Sequence, residues 1–345
     1  MQKLTSPTLL ICVQALDLDD PLMGFFVTWL EEAAKQFPKI TVLALRVGRF
    51  TLPAHVEVVS LRAAGSSQVR VVYQLFKELW LRRAAYDGVF VRGDPHYVAL
   101  AGWIWRLLGK KIVFWYSHYR RNWLAKLASL ITHRTVSSTR AASDGLLRVE
   151  LIGQGIDTRR FIFRTRPRPV EWRCLIFGRM DPAKRVVEML EALKHFPQTI
   201  PMQFSLIGVS GQADYEAQID ALVAQDTRVT WQKRSVSYDQ VPALYQDYDV
   251  ILNATDGSLD KTLLEAALSG VVPLATTPAL QEWLPKDLLW LHALTPEDLV
   301  TSLIQLTDLS ETAYQELVER VELVTAERYS VQAQVTSLVR VFNQL

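Results

Sequence analysis

Long apolar runs are missing from this chain: no stretch approaches the roughly eighteen residues that a membrane-spanning helix needs. The N-terminal segment Thr8-Leu9-Leu10-Ile11-Cys12-Val13 is too short for a secretory core and is followed at once by Asp17, Asp19 and Asp20, so it reads as a first strand and not as a signal. Cysteine is scarce. The two present, Cys12 and Cys174, sit in apolar runs that read as buried strands. Their spacing cannot make a metal site, and a reducing cytosol suits them, so the expected location is cytoplasmic. An excess of one charge is lacking too. The formal net charge is +2, which speaks against a nucleic-acid partner bound by phosphate neutralisation. There is no sequence repeat and no low-complexity tract.

What is present is the composition of a soluble globular protein, 49% apolar and 21% charged, on a chain of 345 residues that comfortably fills two cores. Strand-like and helix-like patterns alternate. Apolar runs at 8–14, 40–46, 56–61, 87–92, 111–116 and 148–152 predict strands, with helical periods at 23–36, 68–84 and 95–108. Continuous apolar strands belong to parallel sheets covered on both faces, so the rhythm predicts a doubly wound α/β fold. The stretch Phe163-Arg164-Thr165-Arg166-Pro167-Arg168-Pro169 breaks the rhythm and reads as a linker. After it the rhythm restarts, with strands predicted at 173–177, 203–208, 228–232, 249–253, 271–275 and 288–291 and helices near 183–196, 212–225, 238–247 and 259–269. The tail from about 295 is helical. The expected division is 1–163 for an N-terminal acceptor-side domain, 164–170 for the linker and 171–325 for a C-terminal nucleotide-binding domain. A C-terminal helix at 326–345 would pack back on the N-terminal domain.

Open α/β sheets bind ligands at the carboxyl ends of their strands. In Phe177-Gly178-Arg179-Met180-Asp181-Pro182-Ala183-Lys184-Arg185 a strand ends in glycine, an arginine follows, and a lysine stands at the first turn of the next helix. Two cations near a helix N-terminus suit a diphosphate; a solvated basic loop is the alternative. In the segment Asn253 to Gly270, a strand runs into the turn Asp256-Gly257-Ser258 and then a helix through Leu259, Asp260, Lys261 and Glu265. Glycine admits close backbone approach to a ligand. Glu265 lies among apolar residues, where a carboxylate needs partners. Ribose hydroxyls are one source, and backbone groups of a neighbouring helix are another.

These two segments, in this order, resemble the nucleotide-binding domain of glycosyltransferase family 4, whose members have the two-domain GT-B fold. Gly178, Arg179 and Lys184 look like that family's diphosphate-binding set, and Glu265 looks like the second acid of its paired-glutamate motif, which holds the nucleotide ribose. In the first half, Leu151-Ile152-Gly153-Gln154-Gly155-Ile156-Asp157-Thr158 resembles the family's segment before the interdomain linker. Val13-Gln14-Ala15-Leu16-Asp17 with Gly24-Phe25-Phe26 resembles its first strand and the glycine loop near the donor phosphates. The family's usual first acid is replaced by Gly257, flanked by Asp256 and Asp260, and Gly-Ser-Leu-Asp-Lys at 257–261 looks like a subgroup form. The resemblance implies two Rossmann-like domains facing a cleft. It also implies donor contacts from Gly24, Gly178 and Asp256 to Lys261, with Glu265.

The strand at 111–116 leads into Ser117-His118, where the family places a histidine that contacts the donor sugar; a partly exposed structural histidine is the alternative. His118, Arg179 and Lys184 are thus the expected catalytic residues. His55, His96, His133, His195 and His292 read as structural. Two Asp-x-Asp matches, Asp17-Leu18-Asp19 and Asp247-Tyr248-Asp249, are not read as metal sites, because Arg179 and Lys184 already offer compensating charge. Trp103, Trp105, Trp115 and Trp123 interleave with Arg106, Lys110, Lys111, Arg120, Arg121 and Lys126. That pattern suits core packing, or else peripheral contact with the inner face of the cytoplasmic membrane and a lipid-linked acceptor. Helix 68–84 is expected to bury Val69, Val72, Phe76 and Leu79.

The resemblance implies a retaining transfer of sugar from a nucleoside-diphosphate sugar to a hydroxyl of a glycan or lipid-linked acceptor, in polysaccharide or glycolipid biosynthesis. The nucleotide sugar is a co-substrate, and no metal or resident cofactor is expected. Two alternatives remain: a nucleotide-sugar-binding protein without transfer activity, and a GT-B-fold nucleotide-sugar epimerase.

Overall fold

The computed structural model describes residues 6–20, 23–63, 65–118, 122–255 and 259–345. The chain forms two compact units, one from residues 1–157 with 329–345, the other from 158–328.

The first unit runs β1 (Leu9–Leu16), α1 (Phe25–Ala34), β2 (Ile40–Val47), β3 (Val56–Ser60), α2 (Gln68–Leu81), β4 (Gly88–Arg92), α3 (Pro95–Leu107), β5 (Lys111–Trp115), α4 (Trp123–Ile131), β6 (Arg134–Ser137) and β7 (Val149–Leu151). Its seven strands pair in parallel in the order β3-β2-β1-β4-β5-β6-β7. Alternate residues of β1 serve opposite faces. Leu9, Ile11 and Val13 pack with α1, while Leu10 and Cys12 pack with α2, α3 and α4. A strand buried on both faces has no polar side to display, which is why β1 reads as an unbroken apolar run.

β6 and α4 have no counterpart in the sequence reading. Thr135 and Ser137 of β6 are fully buried hydroxyl residues, so this interior strand carries no apolar run. In α2 the buried residues include Val71, Leu75 and Leu79, and Val69 projects into solvent, correcting the face expected from the sequence.

The second unit runs β8 (Trp172–Phe177), α5 (Val186–Leu193), β9 (Met202–Ile207), α6 (Ala213–Val223), β10 (Val229–Gln232), α7 (Val241–Tyr245), β11 (Val250–Asn253), α8 (Lys261–Leu268), β12 (Val272–Ala275), α9 (Ala279–Trp283), α10 (Pro296–Thr307) and α11 (Glu311–Tyr329). Its five strands are parallel in the order β10-β9-β8-β11-β12. The strand expected at 288–291 is instead part of a 3₁₀ turn over Lys286–Leu291, joined to β12 by one bridge between Ala275 and His292. Leu288 and Leu291 are the buried pair, and their three-residue spacing is the period of a 3₁₀ helix.

The segment read as a linker at 164–170 belongs to this second unit, and the division falls earlier, between Asp157 and Thr158. The arginines that give the segment its linker character are its anchors. Arg166 donates to the carbonyls of Tyr248 at 2.8 Å and Tyr245 at 3.1 Å, and the backbone N–H of Arg168 donates to the Glu311 carboxylate.

The last helix, α12 (Val331–Asn343), lies in the first unit and covers the sheet face that α1 also covers. Gln334 fixes it there. Its buried Oε1 accepts from Trp29 Nε1 at 2.8 Å, and its Nε2 donates to the Gly153 carbonyl at 2.7 Å. Gly155 has φ +74°, and a Cβ there would stand 2.2 Å from Gln334 Oε1, so only glycine admits this side chain. Replacing Gln334 with alanine removes the partner of a buried indole N–H and opens space. We expect a loss of about 2–4 kcal/mol in the stability of the first unit, read by urea unfolding. A loss below about 1 kcal/mol would contradict the role given to Gln334.

Candidate functional site

In each sheet the connections reverse direction once, between β1 and β4 in the first and between β8 and β11 in the second. Strand ends flanking such a reversal are left open by the crossing helices, and that is where ligands of doubly wound sheets bind. Of the residues singled out in the sequence, Gly24 follows β1, Gly178, Arg179 and Lys184 follow β8, and Leu259, Asp260, Lys261 and Glu265 follow β11, whereas His118 follows β5, one strand away from the reversal.

In the second unit β8 ends at Phe177, and Gly178 follows with φ +119°. The turn Pro182–Lys184 is 3₁₀, Arg185 is left-handed at φ 51°, and α5 starts only at Val186. Lys184 therefore stands before the helix, and not in its first turn as the sequence suggests. Its ammonium lies over Gly178, 3.6 Å from where a Cβ would sit. Arg179 and Lys184 line one small pocket with Asn253 and Met180. Their exposure differs. The Lys184 side chain is 16% exposed, whereas that of Arg179 is 77% exposed, with Nη1 3.3 Å from Asp181 Oδ2. The other Asp181 oxygen is buried and has no hydrogen-bond partner among the described residues.

Asp260 connects this loop to α8. It is the N-cap of the helix, accepting from the N–H of Thr262, and it also accepts from Asn253 Nδ2 at 3.1 Å and forms an ion pair with Lys184. Asn253 is held in turn by the N–H of Thr255, at 2.9 Å. Burial pushes the Lys184 ammonium down to about 8; Asp181 opposes the fall and Arg179 adds to it. Contact with the Asp260 carboxylate also favours the charged form, so Lys184 keeps its proton at neutral pH.

Glu265 lies in the second turn of α8 and is 5% exposed. The Tyr245 hydroxyl lies 3.1 Å from the Thr262 carbonyl and 3.4 Å from Glu265 Oε2. Burial pushes the Glu265 carboxyl above the usual carboxylate range, against the charges of Lys261 and Arg160 and the Tyr245 contact. Leu259 is buried in the core, and Lys261 opens α8 with its side chain half-buried. Asp256, Gly257 and Ser258 lie outside the described residues. Tyr245, Asn253 and Asp181 are not singled out by the sequence; only the position of Asn253 at a strand end could have marked it.

In the first unit, Gln14, Gly93, Asp94, His96, Tyr116, His118, Asn122 and Trp123 line an open pocket of about 500 Å³ at the ends of β1, β4 and β5. His118 is exposed, packs 5.6 Å from the Tyr116 ring, and is held by its backbone N–H on the Ala142 carbonyl. Asp94 caps α3 through the His96 N–H, and its Oδ1 lies 2.7 Å from His96 Nδ1. His96, structural in the sequence reading, thus stands in the same pocket as His118. The pattern that marks it is a strand end followed by Gly-Asp-Pro, a helix start at the open edge of the sheet.

Gly24 precedes α1, and a Cβ there would meet the Leu18 carbonyl oxygen at 2.7 Å, so the glycine is demanded by the turn itself. Asp17 accepts the N–H groups of Asp19 and Arg49, and Asp19 pairs with the Arg49 guanidinium. Asp249 accepts the Arg173 N–H. Asp17, Asp19 and Asp249 of the two Asp-x-Asp matches are thus engaged with protein groups. Of the interleaved tryptophans, Trp105 and Trp115 are buried while Trp103 and Trp123 are exposed. Among the described residues no helix is long and apolar enough to cross a membrane.

No family model matches the chain, and no curated protein matches it by sequence. Solved structures do match. HepE of Anabaena in complex with UDP gives a TM-score of 0.75 at 13% identity, over 98% of this chain and 100% of that one. A glycosyltransferase from Rickettsia africae gives 0.74 at 12% identity, over 98% of each chain. The lipopolysaccharide outer core galactosyltransferase WaaB, in its apo form, gives 0.70 at 14% identity, over 98% of this chain and 100% of that one. The fold shared with these proteins is the GT-B fold of two Rossmann-like parallel-sheet domains.

Replacing Asp260 with alanine removes a helix cap and leaves Lys184 unpaired. A cap alone costs about 1 kcal/mol; with the stranded ammonium we expect about 2–4 kcal/mol in urea unfolding. Adding Lys184→Met should recover part of that loss. Additive effects of the two changes would show that the ion pair contributes nothing.

Proposed function

We propose that this chain is a retaining glycosyltransferase resembling family 4, which moves a hexose-type sugar from a nucleoside-diphosphate sugar to an acceptor hydroxyl. The observation that carries the reading is at the ends of β8 and β11, where Arg179 and Lys184 line one small pocket and Lys184 pairs with the N-cap of α8, the helix that carries the buried carboxylate of Glu265. In this reading the diphosphate lies against Arg179, Lys184 and Gly178, near Gly257-Ser258 and the N-terminus of α8. The negative charge that builds on the leaving diphosphate is stabilised there by fixed cations and N–H groups. Glu265 accepts hydrogen bonds from the ribose hydroxyls. Asp260, which now holds Lys184, shares that ammonium with the diphosphate. His118 acts on the donor sugar, and Gly24 marks the loop of the first unit near the donor phosphates. No carboxylate is assigned as a covalent nucleophile, so attack proceeds on the face from which the phosphate departs, with the phosphate taking the acceptor proton.

The charge stabilisation needs no metal, since Arg179 and Lys184 supply it and three of the four Asp-x-Asp carboxylates, Asp17, Asp19 and Asp249, are held by protein groups. HepE was solved with UDP and glucose, which makes UDP-glucose the first donor to assay. Transfer should persist at full rate in a strong chelator; loss of activity that manganese or magnesium restores would overturn metal independence. UDP binding measured by calorimetry should weaken by roughly 1.5–3 kcal/mol in Glu265→Gln, the range of one charge-assisted hydrogen bond. Affinity should fall below the raised Glu265 pKa, as the carboxylate becomes protonated. It should fall again above about 8 as Lys184 loses its proton, with the ligand itself moving that limb upward. Glu265→Gln should reduce the acid limb to what protonation of the UDP phosphate itself contributes, and leave the alkaline limb in place. A flat profile, or unchanged UDP affinity in the variant, would return Glu265 to a structural role.

We further propose a cytoplasmic enzyme that meets a glycan or lipid-linked acceptor through peripheral contact with the inner face of the membrane, in polysaccharide or glycolipid synthesis. Exposed Trp103 and Trp123 beside Arg106 and Lys126 support that contact. Co-sedimentation should be stronger with anionic than with neutral vesicles and should weaken with salt. Equal, negligible binding to both would refute it.

A further inference from the structure

We infer that the first unit contains a slot for the apolar chain of an anionic amphiphile, placed between α2 and α3. The description of that amphiphile as the acceptor rests on the proposed glycosyl transfer; the slot does not.

A cavity of about 430 Å³ lies there, walled by Leu45, Leu61, Val71, Val72, Leu75 and Leu100. The space opens partly to solvent and its walls are mainly aliphatic, so an apolar chain lying in it would gain dispersion contacts that water does not supply. At roughly 30 Å³ for each water-sized unit, it has room for on the order of a dozen chain atoms. Arg62 and Gln68 stand at one side, bonded to each other at 3.1 Å. At the other side stand Asp94 and His96, which also line the open pocket that holds Gln14 and His118. The apolar space and the polar one therefore share a wall. An apolar chain in the slot leaves its head at the rim, where Arg62 is the cation among the lining residues.

The outer faces of the same two helices indicate where such a ligand comes from. Val69, Tyr73 and Trp80 of α2 and Trp103 and Leu107 of α3 are between 54% and 80% exposed. The one acid on these helices, Glu78, is buried and bonded to Arg82, whereas Arg70, Lys77 and Arg106 are exposed. Apolar side chains interspersed with cations, and no exposed acid, complement an anionic lipid surface and an anionic head group.

The test titrates the full chain with octyl phosphate and decyl phosphate below their micelle concentrations, by calorimetry, with UDP titrated separately. We expect one site, and an affinity for decyl phosphate at least tenfold above that for octyl phosphate, since each buried methylene adds several-fold. Val72→Trp fills the slot from α2 and Leu100→Trp fills it from α3. Each should weaken decyl phosphate binding at least tenfold while leaving UDP affinity unchanged. Absence of chain-length dependence, or decyl phosphate affinity undiminished in a folded tryptophan variant, overturns the slot. If decyl phosphate binds as expected and UDP does not bind at all, the slot stands and the proposed transfer activity falls.

Discussion

Lys184 carries its ammonium to a place that little water reaches, and Asp260 makes that tolerable. The pair can form only because β8 and β11 are neighbours at the reversal of the strand order, which sets the loop after one strand against the helix after the other. The carboxylate is itself committed in three directions, to the start of α8, to Asn253 and to Lys184. A site built this way is preorganised, since the cation is already placed and desolvated before any anion arrives. On the proposed function the ammonium is shared between Asp260 and the donor diphosphate without a side chain having to cross open solvent.

Much of this was legible in the sequence because parallel strands covered on both faces announce themselves as apolar runs. The residues just past them, Gly178, Arg179, Lys184 and His118, then stand out by position. Other features were hidden for physical reasons. β6 is an interior strand whose buried side chains include threonine and serine, so no hydropathy pattern betrays it. The sequence pattern puts Lys184 in the first turn of a helix. Arg185 delays that helix by adopting a left-handed conformation, which no composition rule assigns to arginine. The Lys184–Asp260 and Gln334–Gly153 contacts join residues far apart in the chain, and a local pattern carries no information about either.

The two units use their open strand ends differently. In the second, charge is gathered and held by protein partners around a small pocket. In the first, a wide pocket of polar groups adjoins an apolar cavity, and the helices walling that cavity leave large apolar side chains uncovered. The contrast follows from what each sheet carries on its faces. α1 and α12 close one face of the first sheet with a dense aromatic and aliphatic layer, while α2 and α3 cover the other less completely.

The placement of α12 has a consequence for the order of events during synthesis. The first unit keeps one sheet face partly bare until Val331–Asn343 has been made, and those residues follow the whole of the second unit in the chain. At about 5–20 residues per second, the ribosome needs on the order of ten seconds or more to cross that interval. Through that time Trp29 has no Gln334 to bond, and the apolar residues that α12 will cover stay open to other contacts. The second unit, continuous from 158 to 328, can close first. The half of the protein that is translated first is then the half that is finished last, and its exposed face during that interval is what a chaperone would hold.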